Sequence, residues 1–315
     1  MKLCVLIPAY NEEKTIAQVI DEIPRNILGV DVEIMVIDDG SKDKTASIAK
    51  EKGARVYSFT SNRGLAKAIS FGFSKSIENG MDILAIIDAD NQYDSKDLSK
   101  ILQPILDNQA DIVLGDRQIK KLDHMPLQKK IGNRIASKVL SLVIGQKIRD
   151  SQTGFRAFNS EALKRLHIFS GYTYTQETIM QAKFKGLKII EVPVAFRKRH
   201  DKSRLISNIG TYAIRSISLI STTIIFYKSV RFFGILSLGL LGFGISFSVF
   251  MINHYLTTGM IRPHYGSLIL GVFFFITGAI SILMTILSII SKRQSILLEE
   301  ILYKLRSEKH SNGKK

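Results

Sequence analysis

The sequence predicts an α/β fold: a mostly parallel sheet with helices on both faces, followed by interfacial helices and a two-helix transmembrane hairpin. Three observations lead there. Short apolar runs alternate with helix-periodic stretches through the first half of the chain. Polar clusters, "PAYNE", "DDGS", "DADNQ" and "GDR", close successive apolar runs. Two later segments, "FFGILSLGLLGFGISFSVFMI" (232–252) and "LILGVFFFITGAISILMTILSII" (268–290), contain no charged residue. Each has the length of about 20 residues that crosses roughly 30 Å of hydrocarbon as a helix.

The elements follow in order. "KLCVLIPAY" is a short apolar strand, and "NEEKTIAQVIDEI" has helical spacing, with Ile16, Val19, Ile20 and Ile23 on one face. Asn11 is the expected N-cap, with Glu12 and Glu13 near the positive helix end. "VEIMVIDDGS" is a second strand, with Ser41 or Asp43 capping the helix "KDKTASIAKEKG", which Gly53 ends. "ARVYSFT" is a strand, "RGLAKAISFGFSKSIENG" a helix, and "DILAIIDAD" a strand. "SKDLSKILQPILDN" is a helix expected to be interrupted at Pro104, and "ADIVLGDR" a further strand. This βαβα order implies a mostly parallel sheet, in which ligands bind beyond the carboxyl ends of the strands. After Arg117 come a helix over "LQKKIGNRIASKVLSLVIG", a loop and short strand in "IRDSQTGFRAFN", a short helix opened by Ser160, a helix over "TQETIMQAKFKG" and a closing strand in "KIIEVPVAFRKR".

The resulting division is a cytoplasmic α/β domain over 1–204, interfacial amphipathic helices over 205–228, two membrane helices within 229–291 and a basic cytoplasmic tail over 292–315. The tail carries a helical stripe through Ile296, Leu297, Ile301 and Leu305. The net charge of +16 suits either nucleic acid or anionic lipid and phosphate. No nucleic-acid-binding signature is present, and Lys228, Arg231, Lys292 and Arg293 bracket the apolar segments while the loop between them has only Arg262. Membrane lipids and phosphates are therefore the expected partners, not nucleic acid, with both termini on the cytoplasmic side. Self-association is left open. The single cysteine, Cys4, excludes a disulfide framework and reads as a core residue. The N-terminal apolar run is too short for a signal peptide.

The residues with chemical potential lie at the strand ends. Alternate strand residues share a face, so Asp88 and Asp90 point together, with Ala89 between them and Gln92 in phase. Hard oxygen donors there suit Mg²⁺ or Mn²⁺ bridging phosphates. Asp39, after Asp38, is placed to accept hydrogen bonds from a ribose or base. Pro8, Ala9, Tyr10, Asn11 and Glu12 end the first strand; the Tyr10 ring can pack on a base and Glu12 can hydrogen-bond it.

The succession "IPAYNEE", "VIDDGSKDKT", "NRGLAKA", "IIDADNQY" and "DSQTGFRAFN" resembles family-2 glycosyltransferases with the GT-A, Rossmann-like fold, and is most similar to the dolichyl- and polyprenyl-phosphate mannosyl- and glucosyltransferases. The similarity spans 1–205, and part of that group also carries two C-terminal membrane helices. The resemblance implies nucleotide-sugar binding by Pro8, Tyr10, Glu12 and Asp39, and a divalent cation with the sugar diphosphate on Asp88, Asp90 and Gln92. It implies GDP-mannose or UDP-glucose as donor and a lipid phosphate as acceptor. It also places Asp150 and its loop beside the sugar, with Glu177 a second candidate there and Gln152, Thr153 and Arg156 shaping the site; Phe155 and Phe158 read as packing. Two departures stand out: Leu65 occupies the position where relatives often have lysine, with Lys67 two later, and "RKRHDKSRL" lacks the glycine of the usual phosphate motif and has Arg204, after Ser203, for its lysine.

A lipid phosphate is already ionised near neutral pH, so transfer to it needs positioning and charge stabilisation more than a general base. Arg117, Arg134, Arg199 and Arg204 are the candidates to hold phosphates, since guanidinium forks match phosphate oxygens. Attack on the anomeric carbon inverts its configuration. Two alternatives compete. A processive polysaccharide synthase would be expected to carry a Gln-x-x-Arg-Trp motif, and the chain has no Trp. A membrane-anchored nucleotide-sugar sensor would bind without turnover.

Overall fold

Strand β1 (Leu3–Ala9) is buried at every position, because it lies mid-sheet with a parallel neighbour on each side and helices above and below. The computed structural model that shows this describes residues 1–123, 125–168, 174–198 and 209–314, with backbone alone over 209–228. The remaining elements of the first part are α1 (Ile16–Glu22), β2 (Asn26–Ile27), β3 (Val30–Asp38), α2 (Thr45–Glu51), β4 (Arg55–Ser58), α3 (Leu65–Glu78), β5 (Ile83–Ile86) and α4 (Leu98–Leu106). Then come β6 (Ile112–Asp116), α5 (Leu127–Ile144), β7 (Arg156–Asn159), α6 (Ser160–Arg165), α7 (Tyr174–Phe184) and β8 (Ile189–Pro193).

The sheet runs β2-β3-β1-β5-β7-β6-β8, with β4 also on β3. It is mixed: β7 is antiparallel to both β5 and β6, while β1, β3, β4, β5, β6 and β8 pair in parallel. The loop before β7 therefore arrives at the carboxyl edge of β5 and β6. Strand alternation divides the core in two. Val5, Ile7, Ile83 and Ala85 face α1 and α4, through Ile16, Val19, Ile20, Ile101 and Leu102. Cys4, Leu6, Leu84 and Ile86 face the opposite layer of Ile69, Phe73, Leu140, Ile179 and Met180. Burial pushes the Cys4 thiol up to about 12, in keeping with a core role.

Several local expectations are corrected. Asn11 does not cap α1. The helix begins at Ile16, whereas Asn11 adopts φ 53° and bridges to the next strand end, its backbone N–H donating to Ser41 Oγ and its Oδ1 accepting from Lys42 N. Pro104 does not interrupt α4; it sits within the last turn, where the missing N–H costs one bond and the helix ends two residues later. Helix α6 does open at Ser160, with Asn159 as its cap, accepting from Ala162 N. The β2–β3 hairpin is an addition that no alternation in "RNILGV" announced.

The rest of the chain forms α8 (Ile209–Thr258) and α9 (Tyr265–Lys314). The described helices break neither at 228 nor at 291. Contacts divide the chain into one unit of Met1–Leu219 with Leu302–Lys315, and a second of Ile220–Ile301. The second unit contains two helices apolar and long enough to cross a membrane, and only 17% of each apolar window is buried, so most of the apolar surface faces outward. Its helices meet through Phe247 stacked on Phe274 and Ser281 Oγ donating to Phe233 O. In the first unit, the end of α9 docks on the sheet domain. Tyr303 donates to Glu161, Arg306 donates to the carbonyls of Leu163, Lys164 and Leu166, and His310 Nε2 bonds Met81 O.

Candidate active site

The carboxyl edge of the sheet gathers the polar strand ends, and the backbone there is unusual. Asn11, Asn91 and Gln118 take positive φ two, five and two residues beyond β1, β5 and β6, turning the chain sharply at each. The strand expected to run through Asp90 ends at Ile86, so the acidic motif lies on a turn, where Ile87 and Ala89 are buried and Asp88, Asp90, Asn91 and Gln92 are partly exposed. Asp90 Oδ1 accepts from Gln92 N, and Ala89 O accepts from Thr15 Oγ1. Gln92 turns its amide nitrogen toward Arg197 O, so its oxygen is the end that could face a cation.

Facing this motif is the loop leading into β7. A Cβ on Gly154 would stand 2.7 and 2.8 Å from the two carboxylate oxygens of Asp88, so only glycine permits this approach. Tyr93, fully buried, accepts from Gly154 N at 3.1 Å and shares a bond with Thr153 Oγ1 at 3.3 Å. Its ring stacks on Phe155 and meets Phe196 edge-on. Burial pushes the Tyr93 phenol up to about 12, so it stays protonated. Arg156, also fully buried, donates to Ser151 O, Thr153 O, Thr175 O and Thr178 Oγ1, fastening the loop to α7; burial lowers its pKa against the pull of Tyr174 and Asp150.

Asp150 opens the loop and is 1% exposed. Arg117 grips it in a bidentate pair, Nε to Oδ2 at 2.6 Å and a second nitrogen to Oδ1 at 2.9 Å, and Asn133 adds a bond at 3.2 Å. Burial disfavours the Arg117 charge, but the bidentate Asp150 carboxylate opposes it, and the pKa stands above the ordinary arginine value. The guanidinium also lies 5.1 Å over the Phe196 ring. Glu191 accepts the backbone N–H of Arg149 and Asp150, and burial raises its own pKa.

On the other side of the edge, Tyr10, Gly40, Ser41, Lys42, Phe59, Thr60, Ser61 and Asn62 line a cavity of about 400 Å³, within the range of small-molecule sites. Pro8 and Ala9 end β1 beside it, paired with Ile37 and Asp38. Asp39 is 4% exposed, and its two oxygens accept from Arg63 N and Gly64 N, so it first of all fixes the turn that starts α3. Glu12 N is tied to Thr45 Oγ1.

Other expected site residues are placed differently. Arg134 is exposed on α5, next to the inward-facing Asn133. Glu177 is buried on α7, accepting from Gln181, which in turn bonds the backbone of His167. Arg197 pairs with Glu22 and Asp94 and donates to Asn91 Oδ1. Lys67 is exposed on α3, and Phe155 and Phe158 are core residues as expected. Arg199, Ser203 and Arg204 lie outside the described residues. Tyr93, Gly154, Asn133 and Glu191 were not singled out by the sequence. Their importance comes from contacts between segments far apart in the chain; only the glycine of "QTGF" gave a local signal.

The donor set fits a hard divalent cation. Among the described residues no three His, Cys, Asp or Glu side chains cluster into a closed metal cage. Two partly exposed carboxylates on one turn are the arrangement Mg²⁺ or Mn²⁺ uses when substrate phosphates and water supply the remaining ligands.

The model of glycosyl transferase family 2 matches residues 4–167. The chain belongs to that family. This transferase is 35% identical over 212 residues to the UDP-N-acetylglucosamine–dolichyl-phosphate N-acetylglucosaminyltransferase of Methanococcus voltae, an alignment covering 60% of this chain and 83% of the relative. It is 30% identical to the dolichyl-phosphate hexose transferase of Haloferax volcanii, over 67% of this chain and 90% of that one. Glucosyl-3-phosphoglycerate synthase of Mycobacterium tuberculosis, solved with Mn²⁺, UDP-glucose and phosphoglyceric acid, superposes with a TM-score of 0.56 at 23% identity, over 71% of the transferase and 78% of that chain. This last likeness establishes the GT-A fold. The matched segment of the transferase holds the acidic turn, the cavity and the Asp150 loop.

Proposed function

We propose that the transferase moves a hexose, mannose or glucose, from GDP-mannose or UDP-glucose to dolichyl or polyprenyl phosphate. The sugar-charged lipid would serve protein glycosylation or envelope glycans. The observation that carries the reading is the joining, at one sheet edge, of the partly exposed Asp88–Asp90 turn and the buried Arg117–Asp150 pair. The names of the archaeal relatives, which act on dolichyl phosphate, support the acceptor class. The two outward-apolar helices give a reason for a lipid acceptor: a polyprenyl chain leaves a bilayer at great cost, so the enzyme must come to it.

Asp88 and Asp90, with Gln92, would hold Mg²⁺ or Mn²⁺. When bound, the cation supplies charge neutralisation at the leaving diphosphate. The chain's own residues do the positioning. Tyr10 and the cavity around Phe59 and Asn62 take the base and ribose, with Asn11, Glu12 and Asp39 shaping that side. Asp150, buried beneath Arg117 and Asn133, fixes the loop beside the sugar and, being committed to a guanidinium, does not serve as a base. None is needed, because the acceptor phosphate arrives ionised. Its oxygen attacks the anomeric carbon opposite the leaving group, with inversion. Arg134, Arg199, Ser203 and Arg204 are assigned to the acceptor phosphate, and Glu177 to support of the sugar side. The segment 205–228 would lie on the membrane surface, with the catalytic unit and both termini in the cytoplasm, as the basic residues flanking the spans suggest.

The test is a panel. Membranes containing the chain are incubated with labelled GDP-mannose, UDP-glucose and UDP-N-acetylglucosamine, each with dolichyl or undecaprenyl phosphate and with Mg²⁺, Mn²⁺ or chelator. Cation-dependent label in lipid from one donor is expected. Tight donor binding without turnover would support the sensor, and label in a long polymer would support a processive synthase.

A further inference from the structure

We infer that Tyr93 is a positioning residue: through its hydroxyl it seats Gly154 against Asp88 and so sets the orientation of the metal-binding carboxylate. The inference rests on the proposed cation site at Asp88 and Asp90. Three observations converge on it. The Tyr93 hydroxyl directly links the segment after the acidic motif to the β7 loop, accepting from Gly154 N at 3.1 Å and bonding Thr153 Oγ1 at 3.3 Å. Gly154 in turn sits so near Asp88 that a single added carbon would be 2.7 Å from one carboxylate oxygen and 2.8 Å from the other. The loop is held from its far side by Arg156, whose guanidinium takes Ser151 O and Thr153 O. The loop backbone is thus clamped between a phenol and a guanidinium, and the Asp88 carboxylate is pressed against its one glycine.

The ring of Tyr93 and its hydroxyl have separate tasks. The ring fills the core between Phe155 and Phe196, and a backbone bridge joins Tyr93 to Phe196. The hydroxyl adds nothing to that packing. It satisfies a buried N–H that would otherwise be orphaned and fixes the height of the loop over the carboxylate. Groups that orient a metal ligand without touching the metal commonly matter about 10–100-fold to metal affinity or activity. Phenylalanine at 93 keeps the ring and loses only the second task.

The experiment compares wild type, Tyr93→Phe and Gly154→Ala as full-length protein in detergent. Mn²⁺ is titrated by electron paramagnetic resonance, thermal unfolding is followed without metal, and transfer is measured with the donor that the panel selects. For Tyr93→Phe the expected result is Mn²⁺ affinity weakened about tenfold and kcat lowered with it, with the apparent Mn²⁺ requirement raised and donor KM at saturating Mn²⁺ nearly unchanged. Gly154→Ala should weaken Mn²⁺ binding further. Wild-type Mn²⁺ affinity in Tyr93→Phe, with or without a lower melting temperature, would reduce Tyr93 to a packing residue and overturn the inference. Failure of the wild type to bind Mn²⁺ would instead overturn the cation site itself.

Discussion

Asp150 and Arg117 show how a buried pair can be positional. The carboxylate is almost inaccessible and three side-chain nitrogens reach it. Asp150→Ala removes the partner and leaves a guanidinium buried with its charge uncompensated, a change that typically costs about 3–5 kcal/mol. A clear drop in melting temperature is expected along with loss of transfer. His167 makes a prediction about pH. It is 7% exposed, and burial first, then Arg306 and Lys185, depress its pKa to about 3 from 6.5. The unfolded chain therefore takes up this proton below pH 6.5 while the folded chain does not, so stability is full above that pH and is lost progressively as pH falls toward 3. Unfolding midpoints measured across that range should flatten in His167→Gln. The acidic motif was legible in the sequence because two carboxylates one residue apart close an apolar run, although β5 stops at Ile86 and a turn, not a strand, carries them. Tyr93 was not, because a tyrosine after a strand reads as packing until the β7 loop is folded onto it.

Among the elements, the hydrophobic periods placed the strands and helices of the sheet domain apart from β2, since each buries one face or both. What periodicity could not show is direction. "RAFN" reads as a strand either way, and only its antiparallel pairing with β5 and β6 carries the Asp150 loop to the carboxyl edge. Likewise Asn11 has the composition of a helix cap, but its side chain binds the neighbouring strand end instead. The turn after β3 depends on a glycine. Gly40 takes φ +74°, and a Cβ there would meet Ser61 C at 2.6 Å and Asn62 N at 2.8 Å. Gly40→Ala should therefore destabilise the fold by about 1 kcal/mol or more and displace the Ser61–Asn62 wall of the cavity. Kinetics should show a raised donor KM with kcat less affected. An unchanged KM would remove this cavity from the donor site.

For the whole molecule, the two apolar helices were visible in composition alone, while the fate of the chain's end was not. A basic tail of mixed polarity gives no sign that Tyr303, Arg306 and His310 will dock on the first unit. Arg306 closes three carbonyls at the end of α6, and Lys314 pairs with Asp82 just ahead of β5. With net contributions near 0.5–1.5 kcal/mol per hydrogen bond, a chain ending at Ile301, which loses the bonds of Tyr303, Arg306 and His310, should be destabilised by about 2–7 kcal/mol, seen as an earlier thermal transition in detergent; Arg306→Met should reproduce part of it. The central claim, cation-assisted transfer of a sugar to a lipid phosphate, is tested most directly by one comparison. Wild type and Asp90→Asn, inserted equally in membranes, are given the selected labelled donor with and without added polyprenyl phosphate. The expected result is label extracted into the organic phase, dependent on the added lipid phosphate, from wild type alone. Equal labelling by Asp90→Asn, or label that does not depend on the lipid phosphate, would contradict it.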